Sequence, residues 1–208
     1  MTMIERTQMR SSGQLGQILL NGLEEIIGKA GVNAVLDQAR LFRLMKPSQK
    51  EVPHLELADF AEIQAALEAL YGERGGQGTA FQAGRVSFHS ILRDWGDEMG
   101  LYDPEFRLHS TVCKIEDGLR ALAEKFSELF SGQVYVSEDE TAWIWQVECE
   151  SASINAQLMR SCDPFISGVL QEFTQWVAGG KHYLLHSVVR DDPGEESGCI
   201  RIEKQAID

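Results

Sequence analysis

The sequence predicts an α+β fold, in which N-terminal helices pack on a small antiparallel sheet. Two observations support this prediction. Apolar residues recur every three or four positions, as in amphipathic helices, through most of the chain up to residue 131. Alternating apolar and polar residues, typical of strands, begin only after Gly132. Because the helices come first and the strands later, the pattern favours segregated layers over an alternating parallel sheet.

The composition limits the classes of function. The chain has 208 residues, of which 43% are hydrophobic, and this suffices for one domain with a substantial core. Its net charge of −13 repels phosphate backbones, so we expect no nucleic-acid partner. The apolar runs are too short to span a membrane, and residues 1–14 lack the apolar centre of a signal peptide. We therefore expect a cytoplasmic protein without a membrane span.

The first half of the chain is predicted to be a polar, disordered tail over residues 1–13 and a helical region over 14–131. The first helix shows an apolar face and should stop near Gly28. Further amphipathic helices are predicted over 59–71 and 81–99. The glycine-rich stretch 73–78 between them reads as a turn that joins two helices.

A further helix is predicted to begin near Asp103, which suits the N-cap, with Pro104 at the first helical position. Its apolar residues follow steps of four and three, which is the pattern of a seam for packing against another helix. That second helix can belong to the same molecule or to a second copy in a dimer. The seam residues are Leu108, Val112, Ile115, Leu119, Leu122, Phe126 and Leu129.

Residues 132–208 are predicted to form the α+β unit. A hairpin connection over 137–140 separates a first strand from a second strand that carries Trp143 and Trp145. Asp163 followed by Pro164 predicts the start of a helix that ends at the glycine pair 179–180. The stretch 183–189 is apolar on both faces and reads as a central strand, and a short last strand begins at Cys199.

Three cysteines are predicted to lie at junctions between these elements: Cys149, Cys162 and Cys199. Three thiolates with one further ligand would make a closed tetrahedral zinc site. The fourth ligand could come from His182, His186, Glu148 or Glu150. The spacing contains no Cys-x-x-Cys pair, so scattered thiols are the alternative interpretation.

Aromatic residues form a second candidate site, because they recur on the predicted helices and strands. They could line an apolar ligand cavity, although aromatic stripes at these spacings also occur as plain core. The candidate ligand-binding residues are Phe81, Phe88, Trp95, Trp143, Trp145, Phe165 and Phe173. The sequence contains no nucleophile elbow and no His-Glu-x-x-His motif, so we expect a protein that is not an enzyme.

A set of short segments resembles the 4-vinyl reductase domain: residues 145–149, Cys162 with its helix, the strand 183–190, and 199–202. The same segments resemble archaeal hydrocarbon-binding proteins and the sensor domains of aromatic-responsive transcription activators. The helical segments 18–25 and 71–85 are similar to the lead-in helices of stand-alone members.

The resemblance implies an α+β fold shared with haem-nitric-oxide-binding domains and with subunits of a vesicle-tethering complex. It implies a homodimer through N-terminal helices and an apolar ligand between helices and sheet. Some members bind zinc through cysteines, and Cys162 and Cys199 match two of those positions, whereas Arg190 stands where a third cysteine is expected. Haem is disfavoured, because no matching ligand and anchoring motif is found.

The resemblance therefore implies a protein that binds or senses an apolar or aromatic small molecule without catalysing a reaction. A dimeric scaffold or interaction subunit is the first alternative. An accessory protein in the reduction of a tetrapyrrole vinyl group is the second.

Overall fold

The structure is a computed structural model that describes residues 3–45, 55, 57–130, 133–148, 152–192 and 195–207. In these residues the α+β prediction is confirmed, with helices on a small antiparallel sheet. The helices are α1 (Met3–Gln38), α2 (Phe42–Met45), α3 (Leu57–Tyr71), α4 (Glu73–Trp95), α5 (Pro104–Leu108), α6 (Thr111–Phe130) and α7 (Ala152–Val177). The strands are β1 (Gln133–Glu138), β2 (Ala142–Glu148), β3 (His182–Asp192) and β4 (Glu195–Ile207).

The four strands are antiparallel and lie in the order β1-β2-β4-β3. The predicted hairpin between the first two strands is confirmed, and the carboxylate of Asp139 accepts the backbone N–H groups of Thr141 and Ala142 at 2.8 Å each. The prediction of a central strand over 183–189 is wrong, because β3 lies at the edge of the sheet. The last strand, β4, is long and takes the central place between β2 and β3.

One face of the sheet meets the helices and forms the core. Trp143 is paired with Ile202 and Trp145 with Ile200, so these four side chains share a face, and all four are buried. The ring of Phe126 on α6 lies edge-on to Trp145, with 5.8 Å between centroids. The core therefore lies between the sheet and the helical layer.

The N-terminal helix begins earlier than the sequence predicts and is interrupted near the predicted stop. Helix α1 begins at Met3, where the sequence predicted a disordered tail over 1–13; the Met, Glu, Arg and Gln residues there are good helix formers. Gly28 takes a positive φ of 69° and a ψ of 165°, which are not helical, so α1 consists of two helical segments that meet at a kink where the sequence predicts a stop. Glycine tolerates this conformation because it has no Cβ.

The glycine-rich stretch is helical, so the predicted turn over 73–78 is wrong in extent. Only Gly72, with a φ of 76°, separates α3 from α4. Gly76 lies inside α4 and packs against α3, where an added Cβ would lie 2.6 Å from the backbone nitrogen of Glu68. The glycine therefore serves a close approach of two helices.

The predicted seam is divided between two helices. Asp103 is the N-cap of α5, with Pro104 at its start, as predicted, but α5 ends at Leu108 and α6 begins at Thr111. In α6 the side chains of Ile115, Leu119, Leu122 and Phe126 are buried. Leu108 is 86% exposed and Val112 is 54% exposed, so the first part of the seam faces solvent.

Among the described helices, none combines the length and the apolar character that crossing a membrane requires.

Candidate functional site

Helices α4 and α7 touch through their backbones at two glycines. A Cβ added to Gly84 would lie 3.0 Å from the carbonyl carbon of Phe165 and would collide with its oxygen. A Cβ added to Gly168 would lie 2.9 Å from the carbonyl carbon of Phe81 and 3.0 Å from the nitrogen of Arg85. Because both helices carry a glycine here, they approach more closely than larger residues would allow.

An ion pair stabilises the same contact between α4 and α7. The Arg85 guanidinium lies 2.7 Å from the Glu172 carboxylate, and Arg85 also donates a hydrogen bond to the side chain of Gln175 at 3.2 Å. Phe81 meets Gly168, and four residues later Arg85 meets Glu172, so the two helices run in roughly the same direction. Their relative position is therefore set by backbone contact and by charge.

A groove of about 810 Å³ opens between α4, α7 and the edge strand β3. Its size lies in the range of small-molecule sites. Phe81, Pro164, Tyr183 and Leu185 supply apolar surface from the three elements, and Gln171 supplies an amide. Further lining residues include Arg74, Gln77, Ser187, His182 and Ile207.

The polar residues that α7 contributes to the groove differ chemically. Ser187 donates a hydrogen bond of 2.7 Å to the carboxylate of Asp163. Gln171 lies eight positions further along α7, which corresponds to roughly 12 Å of helix. The lining of the groove therefore includes both a carboxylate and an amide.

The amide of Gln171 is buried without a hydrogen bond. Its Nε2 atom has no hydrogen-bond partner among the residues that the structure describes. A glutamine amide carries two N–H donors, and a buried donor left unpaired costs about 1–3 kcal/mol. The side chain that lines the groove therefore holds an unpaired donor beneath the groove surface.

Tyr183 joins the groove to the core of the sheet. Its ring lies edge-on to Trp143, with 6.2 Å between centroids. Burial raises the pKa of the Tyr183 phenol, because it disfavours the charged phenolate. The hydroxyl therefore stays protonated at neutral pH and can donate or accept a hydrogen bond.

The predicted aromatic residues are divided between the groove and the core. Phe81 lines the groove. The other six are buried: Phe88, Trp95, Trp143, Trp145, Phe165 and Phe173. The Phe88 and Phe173 rings lie 6.0 Å apart, and Phe165 lies 6.2 Å from Phe60, so these rings contact other core aromatics. The indole nitrogens of Trp143 and Trp145 are buried and lack a hydrogen-bond partner within the described part of the chain.

Sequence reasoning missed Gln171, Tyr183 and Leu185 as groove residues. One signal was present for Gln171, because it is a polar residue directly after Leu170 in the apolar stripe of α7. For Tyr183 and Leu185 the missing information was that β3 lies at the sheet edge, where its side chains reach the helix layer beside a groove.

Two of the three cysteines, Cys162 and Cys199, do not lie at the predicted junctions. Helix α7 begins at Ala152 and contains Pro164, so Cys162 lies inside the helix and the argument from the helix N-terminus does not hold. Cys199 lies within β4, opposite Val188, and both cysteines are buried. Cys149 lies outside the described residues. Within those residues no three His, Cys, Asp or Glu side chains are grouped closely enough to hold a metal ion.

The histidines of the described regions lie at the surface. His89, His182 and His186 are exposed. His109 is exposed as well and bonds to the carboxylate of Asp117 at 2.8 Å. These regions therefore place no imidazole in the core.

No known family profile matches the sequence, and no curated protein matches it. Solved structures do match over nearly the whole chain. A variant of the H-NOX domain of T. tengcongensis has 11% identity and a TM-score of 0.56, over 94% of this chain and 99% of that chain. An iron(II), unliganded H-NOX variant from K. algicida has 10% identity and a TM-score of 0.55, over 93% and 97%.

An oxygen-binding H-NOX domain related to soluble guanylate cyclases has 10% identity and a TM-score of 0.56, over 94% of this chain and 96% of that chain. Another similar structure is that of a protein in which distortion of the porphyrin by the protein modulates the redox potential of the haem. These neighbours contradict our prediction on haem, because haem is held on this fold in those proteins. In this chain, the described histidines do not fit a haem bound through a buried imidazole. At this identity the likeness concerns architecture alone, and the chain has an H-NOX-like α+β fold.

Proposed function

We propose that this chain is a non-catalytic domain that binds and senses an apolar or aromatic small molecule in the groove between α4, α7 and β3. One observation supports the proposal most directly. The groove has a volume of about 810 Å³, and Phe81, Pro164, Tyr183 and Leu185 line it at the junction of helices and sheet. The oxygen-binding domain among the structural neighbours has the same fold.

Binding would draw its energy from burial of apolar surface. Each Å² of apolar area removed from water contributes about 25 cal/mol before ordering costs are subtracted. Tyr183 is packed against Trp143, and Phe81 lies on a helix held by the glycine crossing. Because these walls are already ordered, little of that energy would be lost in arranging them.

The test is to identify the bound molecule and to truncate a side chain that lines the groove. Organic extraction of the purified chain, followed by mass spectrometry, should recover a small molecule, and native mass spectrometry should show its stoichiometry. Phe81→Ala should lose the molecule, while Phe42→Ala, which truncates an exposed phenylalanine of α2, should retain it. Equal retention by both variants, or a preparation that binds nothing from an apolar compound library, would refute the assignment.

We further propose that the chain belongs with the 4-vinyl reductase domains. The support is the resemblance of the segments around Cys162 and Cys199, together with the α+β architecture. The same extract tests the tetrapyrrole alternative, because a tetrapyrrole would show a Soret absorbance band.

A second candidate function is a dimeric scaffold, and the exposed part of the predicted seam favours it. Leu108 and Val112 are exposed apolar residues on α5 and α6. Nearby, Phe106 stacks on Trp176, which is partly exposed. Sedimentation equilibrium over a wide concentration range should show a dimer, and the double variant Leu108→Ser, Val112→Ser should be a monomer. A wild-type chain that stays monomeric throughout would exclude this candidate.

A further inference from the structure

We infer that the groove takes ligands that join an apolar body to a carboxylate, with the carboxylate bound by Arg74 and the body lying over Gly78 against Phe81. The inference rests on the proposed function, because it concerns the same groove. It adds the chemical class of the ligand and the residue that recognises its charge.

Arg74, Gly78 and Phe81 share one face of α4. They are four and three positions apart, which is the spacing of neighbours along a single face of a helix. All three line the groove. The seven positions from Arg74 to Phe81 correspond to roughly 10 Å of helix. This face therefore has the length of a two-ring aromatic acid.

Gly78 leaves the middle of this face open. A Cβ added to Gly78 would meet no atom of the described residues within 4 Å. At Gly84, further along the same helix, the backbone of α7 already fills the corresponding space. The groove therefore has room over Gly78 for the body of a ligand that contacts Phe81.

Arg74 offers a positive charge at the start of this face. Its side chain is exposed, so a molecule in the groove can reach it. No carboxylate in the described part of the chain forms an ion pair with it. A guanidinium presents its N–H donors in the geometry that a carboxylate accepts with both oxygens. Five other arginines do pair with carboxylates: Arg43, Arg85, Arg93, Arg120 and Arg201.

The charges around the groove favour an anion at Arg74, although the chain as a whole is acidic. The net charge of the chain is −13, whereas the described lining of the groove sets a single carboxylate, Asp163, against the basic residues Arg74 and His182. The Asp163 carboxylate already accepts the hydroxyl of Ser187 at 2.7 Å. The groove therefore combines an unpaired cation on α4 with an engaged carboxylate on α7.

The experiment compares 2-naphthoate with 2-ethylnaphthalene, an uncharged probe of nearly equal size, by equilibrium dialysis against the full chain at neutral pH. Arg74→Gln should weaken naphthoate binding about three- to tenfold, because it removes one exposed ion pair with its hydrogen bonds, and should leave the hydrocarbon unaffected. Arg107→Gln is the matched control, since it removes the same charge from an exposed arginine of α5 outside the groove, and both probes should bind it as they bind the wild type. Added salt should weaken naphthoate binding relative to that of the hydrocarbon.

A second variant tests where the body of the ligand lies. Gly78→Leu should fill the open space on α4 and weaken the binding of both probes. Urea denaturation should show that this variant is at least as stable as the wild type, because leucine is the better helix former. Loss of binding then follows from a blocked groove and is separated from unfolding.

The outcomes separate the two proposals. If Arg74→Gln binds naphthoate as tightly as the wild type, or loses both probes equally, the role of Arg74 is overturned and the groove stays a binding site. Unchanged binding of both probes to folded Gly78→Leu overturns the position of the ligand over this turn. Failure of the wild-type chain to bind either probe overturns the groove assignment itself.

Discussion

Gly84 and Gly168 face each other across the contact of α4 with α7. A Cβ on Gly84 would lie 3.1 Å from the Cα of Gly168, and it would collide with the carbonyl oxygen of Phe165. No side chain at either position could be accommodated without moving a backbone. The contact places Phe81 beside α7, and with it one wall of the groove.

Gly84→Ala should therefore destabilise the chain. The methyl group meets backbone atoms, which cannot rotate away, so the loss in the free energy of unfolding should be about 1–3 kcal/mol or more. Urea denaturation measures it. Gly78→Ala is the matched control on the same helix, because an added Cβ there meets nothing within 4 Å. Alanine is the better helix former by about 1 kcal/mol, so the control should gain stability. Equal effects of the two substitutions would contradict the backbone contact.

Gly118 and Phe173 should behave as a coupled pair. A Cβ on Gly118 would lie 2.6 Å from Cε2 of the buried Phe173 ring, so Gly118→Ala should overpack the core. Phe173→Leu removes part of the ring and should relieve the clash. A double-mutant cycle should give a favourable coupling free energy of about 0.5–3 kcal/mol between the two substitutions. If the losses in the free energy of unfolding from the two substitutions were additive, the contact between Gly118 and the Phe173 ring would be contradicted.

Lys125 is a buried charge with two carboxylate partners. Its side chain is 7% exposed, its Nζ lies 2.8 Å from Glu98 and 3.0 Å from Glu128, and it lies over the Trp95 ring at 5.5 Å. Burial works against the charge, but the bonds to Glu98 and Glu128 outweigh it and raise the lysine pKa.

Lys125→Met should cost less stability than Lys125→Ala, because methionine keeps contact with Trp95 while the two carboxylates return to water. Thermal unfolding measures the difference. The folded-state pKa is raised, so the charge contribution is complete below the ordinary lysine pKa of about 10.4 and is lost as pH rises through the folded value. A variant ranking that reverses at neutral pH would refute this account.

Asp139 should make stability depend on acid pH. The Arg201 guanidinium, followed by the N–H and hydroxyl of Thr141 and the N–H of Ala142, holds the pKa of this carboxyl far below its ordinary value. A depressed folded-state pKa means that the contribution is present above about pH 3.9 and is lost as pH falls through the folded value. The stability difference between wild type and Asp139→Asn should therefore be constant near neutrality and shrink in strong acid.

Urea denaturation at several pH values tests this dependence. The Arg201 guanidinium lies 2.8 Å from the Asp139 carboxylate and is the largest cause of its lowered pKa. In an Arg201→Gln background, Asp139→Asn should therefore cause a much smaller stability difference than in the wild type. A difference that is independent of pH would contradict the ion pair.

Sequence periodicity predicted much of the architecture for a clear reason. Helical and strand periods are local properties, so the α+β class and the hairpin around Asp139 were correct. Local cap signals were less secure. Asp103 with Pro104 does begin a helix, whereas the same signal at Asp163 and Pro164 lies inside α7. There Asp163 accepts a hydrogen bond from Ser187 on β3, which is 24 residues away in the sequence. A capping rule that considers only neighbouring residues cannot predict this contact.

The candidate site was harder to predict, because its residues meet only through packing. Phe81 was identified as aromatic and placed on a helix, but the same reasoning grouped it with Phe88 and Phe173, which are buried against each other. Nothing in the spacing of Gln171 or Leu185 indicates that they share a groove with Phe81.

The sequence by itself determined the order of helices and strands, the acidic surface, and the glycines that close packing requires. Only the tertiary structure decided that Gly84 meets Gly168, that β3 lies at the edge of the sheet, and that the Nε2 atom of Gln171 is buried without an acceptor among the described residues. The physical reason is that secondary structure follows from interactions over a few residues. A groove instead depends on which faces of distant elements approach each other, and on the atoms that their packing leaves unpaired.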